Sequence, residues 1–275
     1  MIVTQEYVAH NLELFISNKE EFWRDATEIA PFAFYDFDSY KRQDESKGEY
    51  FFRSIEIPDS ITQIGEHAFE DCDLLEEVVL PKNLKQISEA CFKYCSSLVK
   101  ITLPDGLEEI ADQAFYEARL TQITFPSTLV KIGKKSFVGN DFTTLAFNEG
   151  LTTISQGAFE RCSRLVDIKF SSSIKTIQKM AFLDCFALNK VVIPETITSI
   201  GDEAFYNCDN LHSVICENKQ TKLGKQCFSY TCIACVIEKE SGYHFLDSCQ
   251  ITESENCRLI EKNEDLANLV FRDED

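Results

Sequence analysis

Apolar residues return along this chain at an interval of 22 or 23 residues. Phe69, Phe92, Phe115, Phe137, Phe159, Phe182, Phe205 and Phe228 mark it, at spacings of 23, 23, 22, 22, 23, 23 and 23. The residue before each is small: Ala68, Cys91, Ala114, Ser136, Ala158, Ala181, Ala204 and Cys227. Five residues before each Phe stands an aliphatic side chain, from Ile64 and Ile87 to Ile200 and Leu223. Another lies three further back, from Ile61 to Ile197, until Gln220 breaks the column. Self-similarity at such a period is the signature of a repeat architecture.

A second pattern runs inside each interval. Ile55/Ile57, Val78/Leu80, Ile101/Leu103, Ile123/Phe125, Leu145/Phe147, Ile168/Phe170, Val191/Ile193 and Val214/Cys216 alternate with outward residues. A period of two predicts a half-buried strand. Pro58, Pro81, Pro104, Pro126 and Pro194 follow directly, and proline suits a strand end because it lacks the N–H that a sheet interior needs. One coil then reads strand, proline corner, second extended segment, short helical turn at the small–Phe pair, and return. No coil can bury its apolar face alone, but stacked coils share one core. The expected fold is a right-handed curved solenoid, strand-rich with short helical turns, whose array of about eight coils spans residues 54–237.

Segments such as LPDGLEEIADQAFYEARLTQITFP and IPETITSIGDEAFYNCDNLHSVIC resemble the leucine-rich repeats of the BspA type. The commoner leucine-rich pattern is matched by Leu75, Val78 and Leu80, but Pro81 follows and there is no asparagine ladder. The resemblance implies a curved solenoid. It also implies a protein-binding role, since members of that family are often surface adhesins or proteins of parasites and gut bacteria that bind other proteins.

The flanks depart from the period. TEIAPFAFYDF aligns with TQIGEHAFEDC, placing Ile29 on Ile64, Phe34 on Phe69 and Phe37 on Cys72. This predicts a degenerate coil before the array, with the charged run Asp38–Glu49 as an insertion loop. Residues 4–22 are expected to form one or two amphipathic helices using Val8, Leu12, Phe15 and Phe22. Residues 1–53 thus read as an N-terminal helical cap, because terminal repeats must close an open core. Residues 238–275 lose the period and are expected to form a C-terminal cap and acidic tail, with Leu259, Leu266, Leu269, Val270 and Phe271 as packing residues.

Charge and cysteines change this picture only in part. The formal net charge is -19. Nucleic acid is therefore excluded as an expected partner, since its affinity comes largely from lysine and arginine displacing counterions. Residues 1–50 hold 11 acids and 5 bases and residues 238–275 hold 11 acids and 4 bases, so most of the excess lies in the caps. No stretch approaches the ~20 apolar residues that span a bilayer. The start, with Glu6, His10 and Glu13, does not read as a signal peptide. Its absence favours a cytoplasmic location, while the family resemblance offers the cell surface or secretion.

Twelve cysteines suggest metal or disulfides until they are placed on the repeat. Cys72, Cys95, Cys162, Cys185 and Cys208 all follow a repeat Phe by three residues, Cys91 and Cys227 precede one, and Cys216 takes a strand position. These eight read as small core fillers, a role free cysteine plays well. Cys232, Cys235, Cys249 and Cys257 remain, near His244, and could hold zinc, form one or two disulfides, or stay unlinked. No second C-x-x-C supports the metal. No catalytic signature and no phosphate- or dinucleotide-binding loop is present. The expectation is a non-enzymatic chain without a cofactor, a monomer or weak self-associator.

What is left for recognition is the outward side of the strands. Its central column runs Glu56, Val79, Thr102, Thr124, Ala146, Lys169, Val192 and Ile215. The column beside it runs Ser54, Glu77, Lys100, Gln122, Thr144, Asp167, Lys190 and Ser213. Strands stack at ~4.8 Å, so eight coils offer a face about 40 Å long. A sparsely charged, hydroxyl-rich concave stripe of this kind suits a protein partner.

Overall fold

The computed structural model describes residues 1–37, 53–218, 220–231, 236–238 and 242–244. The array is a parallel β-solenoid of nine coils, numbered here by their central phenylalanines: Phe34 in coil 1, then Phe69, Phe92, Phe115, Phe137, Phe159, Phe182, Phe205 and Phe228 in coil 9. Where neighbouring strands of the array pair, they pair in parallel. Among the described residues the one antiparallel pair, Val236–Glu238 with Gly242–His244, follows the last coil.

The spine is a stack of nine phenylalanine rings. Consecutive centroids lie 4.8 to 5.5 Å apart with planes within 10° of parallel. Each Phe N–H except the last donates to the carbonyl of the small residue in the next coil, at 2.7–2.9 Å. The residue before each Phe is small where it is buried in the core. Phe125, Phe147 and Phe170 add a second stack, each edge-on to a spine ring.

The corner around each spine Phe was expected to be helical; instead it is a run of tight turns. In all nine coils the residues two before and two after the Phe have positive φ, from Phe32 and Asp36 to Gln226 and Tyr230. Only Gly139 and Gly157 among them are glycines. Alternating hand forbids a helix, and each non-glycine left-handed residue costs roughly 1–2 kcal/mol. The compensation is a three-rung ladder between coils. His67, Phe69 and Asp71, for example, donate to Glu89, Cys91 and Lys93 at 2.9–3.0 Å.

The N-terminus folds over coil 1. Helices α1 (Gln5–His10), α2 (Leu12–Ser17) and α3 (Lys19–Phe22) are short and capped by Thr4 and Asn18 side chains at the first and third. Phe15, Phe22 and Trp23 pack on Phe34, the ring that would otherwise end the stack in water. The degenerate coil pairs through Glu28–Ile29 with Gln63–Ile64, placing Ile29 beside Ile64 as the alignment predicts. The expected insertion loop Asp38–Glu49 and the C-terminal packing residues lie outside the described residues.

Candidate functional site

Outward alternation places the candidate residues where the sequence pattern puts them. Ile55, Val78, Ile101, Leu145, Ile168, Val191 and Val214 point inward and are buried. Between them, Val79 pairs in register with Thr102, Ala146 with Lys169, and Val192 with Ile215. In the flanking column Lys100 lies beside Glu77, Thr144 beside Asp167 and Lys190 beside Ser213. All of these are exposed except Glu77, Ser213 and Ile215, which are half-buried.

One expected strand is missing. Residues 122–124 form no strand, although Gln122 and Thr124 stay exposed and Phe125 stays buried. The coil is also one residue shorter here. From Phe69 to Leu75 is six residues, but from Phe115 to Leu120 and from Phe137 to Phe142 is five. After Phe137 the same shortening leaves the strand Thr144–Ala146 in place, so what sets coil 5 apart is the corner after Phe115. Arg119 takes up a left-handed conformation there. The Asn140 side chain then ties the corner, donating to Phe115 O at 2.7 Å and accepting from Leu120 N at 2.9 Å.

Charges on the face are partnered at its N-terminal end, where Arg53 pairs with Glu76 and Lys100 with Glu77. The centre is neutral in coils 5 and 6, at Gln122, Thr124, Thr144 and Ala146, and Thr102 continues it into coil 4 beside Lys100. Sequence reasoning passed over the column that precedes these, in which Val99 and Val166 are 45% and 41% exposed. Exposed valine just before a charged strand residue is the signal that could have found them.

The cysteines are partnered rather than merely packed. Cys72, Cys95, Cys162, Cys185 and Cys208 each donate a thiol hydrogen bond to the spine-Phe carbonyl of the preceding coil, at 3.0–3.4 Å. Asn140 does the same where coil 5 lacks a cysteine. Burial pushes the Cys91, Cys162, Cys185 and Cys208 thiols well above their ordinary range, so they are poor nucleophiles. Among the described residues no group of three or more His, Cys, Asp or Glu side chains could hold a metal. Cys232, Cys235, Cys249 and Cys257 lie outside the described residues, as does the His244 side chain.

On the spine side one ion cluster is nearly buried. Glu70, 8% exposed, lies 2.5 Å from His67 Nδ1 and 3.4 Å from Lys93 Nζ. Phe32 stacks on the His67 ring at 4.7 Å. The cluster ties coils 1, 2 and 3 together. Burial and then Glu70 raise the neighbouring Asp71 carboxyl above its usual range, and Asp71 in turn raises the Tyr35 hydroxyl. No helix among the described residues is long and apolar enough to cross a membrane.

Comparison with known proteins places this architecture. A comparison with curated proteins returns no match. A leucine-rich repeat protein from Bacteroides ovatus is similar at 26% identity and a TM-score of 0.61, over 75% of this chain. The match spans 57% of that protein's length. The T. pallidum leucine-rich repeat protein is similar at 26% identity and a TM-score of 0.50, over 59% of this chain and 72% of that one. The model of the BspA type leucine rich repeat region matches in six copies, over residues 50–142 and 130–249. With the phenylalanine spine and the parallel coils, that match identifies the chain as a member of the BspA-type leucine-rich repeat family.

Proposed function

We propose that the chain is a non-enzymatic scaffold that holds a partner protein against its strand-lined face. The observation that carries this reading is the neutral centre of that face, where exposed Thr102, Thr124 and Ala146 sit between charged flanks. Such a surface loses little on desolvation, because few charges have to leave water. Lys100, Asp167, Lys169 and Lys190 would form the polar rim that steers and orients the partner. Val79 and Val192, each 38% exposed, would supply apolar contact at either end. Gln122 and Thr144 complete the central surface. Adhesion or host contact, the role implied by the family resemblance, is the form of partnership this reading favours.

The test is capture from the source organism with the wild-type chain, a face variant and a spine-side control. The face variant carries Thr102→Glu, Thr124→Glu and Lys169→Glu; the control carries Lys179→Glu. A partner should bind the wild type and the control and be lost from the face variant. Retention by the face variant would overturn the proposal. Light scattering separates a foreign partner from self-association on the same surface.

A further inference from the structure

The two strand ladders are interrupted at different places. The first ladder pairs coils 2–4, coils 6–7 and coils 8–9. The second pairs coils 1–2, coils 3–5 and coils 6–9. Where one ladder is broken the other therefore crosses, except between coils 5 and 6, which neither crosses. Those coils are joined by the spine, by Asp141 N–H on Leu120 O at 2.9 Å, by the Asn148 side chain on Leu129 O at 2.8 Å and by the Phe125–Phe147 stack at 5.7 Å. Phe137 stacks on Phe159 at 5.3 Å, and Lys135, Phe137 and Gly139 donate to Gln156, Ala158 and Glu160 at 2.9–3.0 Å.

A single side chain explains the second break. The residue after each second-ladder strand is Gly65, Ala111, Gly133, Gln178, Gly201 or Gly224 where the ladder is intact. There its N–H donates to the preceding coil at 2.7–2.9 Å. At the two breaks that residue is a serine. Ser88 Oγ donates to Ile64 O and Ser155 Oγ to Ile132 O, both at 2.5 Å. The hydroxyl takes the carbonyl that the backbone N–H takes elsewhere, an instance of side-chain competition with the ladder. At Ser88 the first ladder still crosses. At Ser155 the first ladder is absent as well, since residues 122–124 form no strand.

We propose that the coil 5–coil 6 boundary is a hinge. The array is two stiff blocks, coils 1–5 and coils 6–9, that flex about the phenylalanine spine and open or close the strand-lined face. Hinges are places where a few residues absorb the motion while packed elements move as units. In a solenoid, stability is a sum over neighbouring coils, so the boundary that lacks both strand ladders is the one that yields. The inference rests on the fold and holds whether or not a partner binds that face.

The experiment uses the full chain with fluorophores on encoded unnatural amino acids, leaving the cysteines untouched. One pair replaces Glu56 and Thr102, within the first block; the other replaces Thr102 and Lys169, across the boundary. The cross-boundary distance distribution should be at least about twice as wide. Ser155→Ala should narrow it, because alanine at this position, as at Ala111, leaves the carbonyl to the backbone N–H. Ser155→Gly, the residue native to four coils, should act the same way and guards against a folding defect in the alanine variant. Hydrogen exchange should show amides 152–155 slowing by at least about tenfold in either variant. Equal widths for the two pairs, or a wide cross-boundary pair that neither substitution narrows, would overturn the proposal.

Discussion

The spine side and the strand side of this solenoid are built from the same coils but obey different constraints. On the spine side every coil supplies a phenylalanine, a buried small neighbour and two left-handed residues, and every boundary from coil 1 to coil 9 is bridged. On the strand side the outward column runs through Glu56, Val79, Thr102, Thr124, Ala146, Lys169, Val192 and Ile215, with no residue type imposed, and its pairing lapses three times. A ring that stacks on its copies in both directions must be the same ring each time. A side chain facing water contributes to no such stack and is free to vary. Stability is thus concentrated on one side, and the other is left free for the recognition proposed above.

The largest effect should come from breaking the spine. Phe159→Ala removes a ring stacked on both sides and should lower unfolding free energy by about 3–5 kcal/mol in chemical denaturation. Because coils couple to their neighbours, a second transition would expose the uncoupling of the two blocks.

A smaller effect concerns the buried thiols. Cys91, Cys162, Cys185 and Cys208 have folded-state pKa values raised by burial, while the unfolded chain ionises near the ordinary thiol value of about 8.5. Stability from each is therefore complete below that pH and falls as pH rises above it. The slope is about 1.4 kcal/mol per pH unit for each thiol. Cys185→Ala should reduce the measured slope between pH 9 and 10 by that amount; an unchanged slope would show the thiol already exposed.

Smaller again, Ser136 occupies the small position of coil 5 with a buried hydroxyl that has no hydrogen-bond partner. Alanine holds that place in six other coils. Ser136→Ala should therefore stabilise the fold by about 1 kcal/mol, read as a raised denaturation midpoint. The smallest change is expected on the strand side. The triple variant of Thr102, Thr124 and Lys169 should shift stability by no more than about 0.5 kcal/mol per substitution while removing the partner. A large loss of stability there would erase the division between the two sides.

Much of this was legible in the chain because the repeat is a tertiary contact written as a period. Residues 22 or 23 apart become neighbours, so the Phe column, the small column before it and the alternation at Val78/Leu80 declared the core. The alignment of Ile29 with Ile64 was legible for the same reason. The helical expectation for the small–Phe corner failed because composition does not report the sign of φ. Ala90, Met180 and Glu203 are ordinary helix formers held left-handed by bonds to the next coil. The outward face was readable as a list of residues but not as a continuous surface, since the strand lost at residues 122–124 leaves no mark in the alternation of Ile123 and Phe125.

The sequence alone determined the number of coils, their register and which side chains face inward, because burial demands the same apolar residue at each return. Only the tertiary structure decided how the coils are joined. Whether Cys185 donates to Phe159, whether Ser155 lends its hydroxyl or its amide to Ile132, and which boundary lacks strand pairing all depend on atoms brought together from adjacent coils. Those bonds are set by distances of a few tenths of an ångström between chains of contact that the repeat positions but does not itself specify.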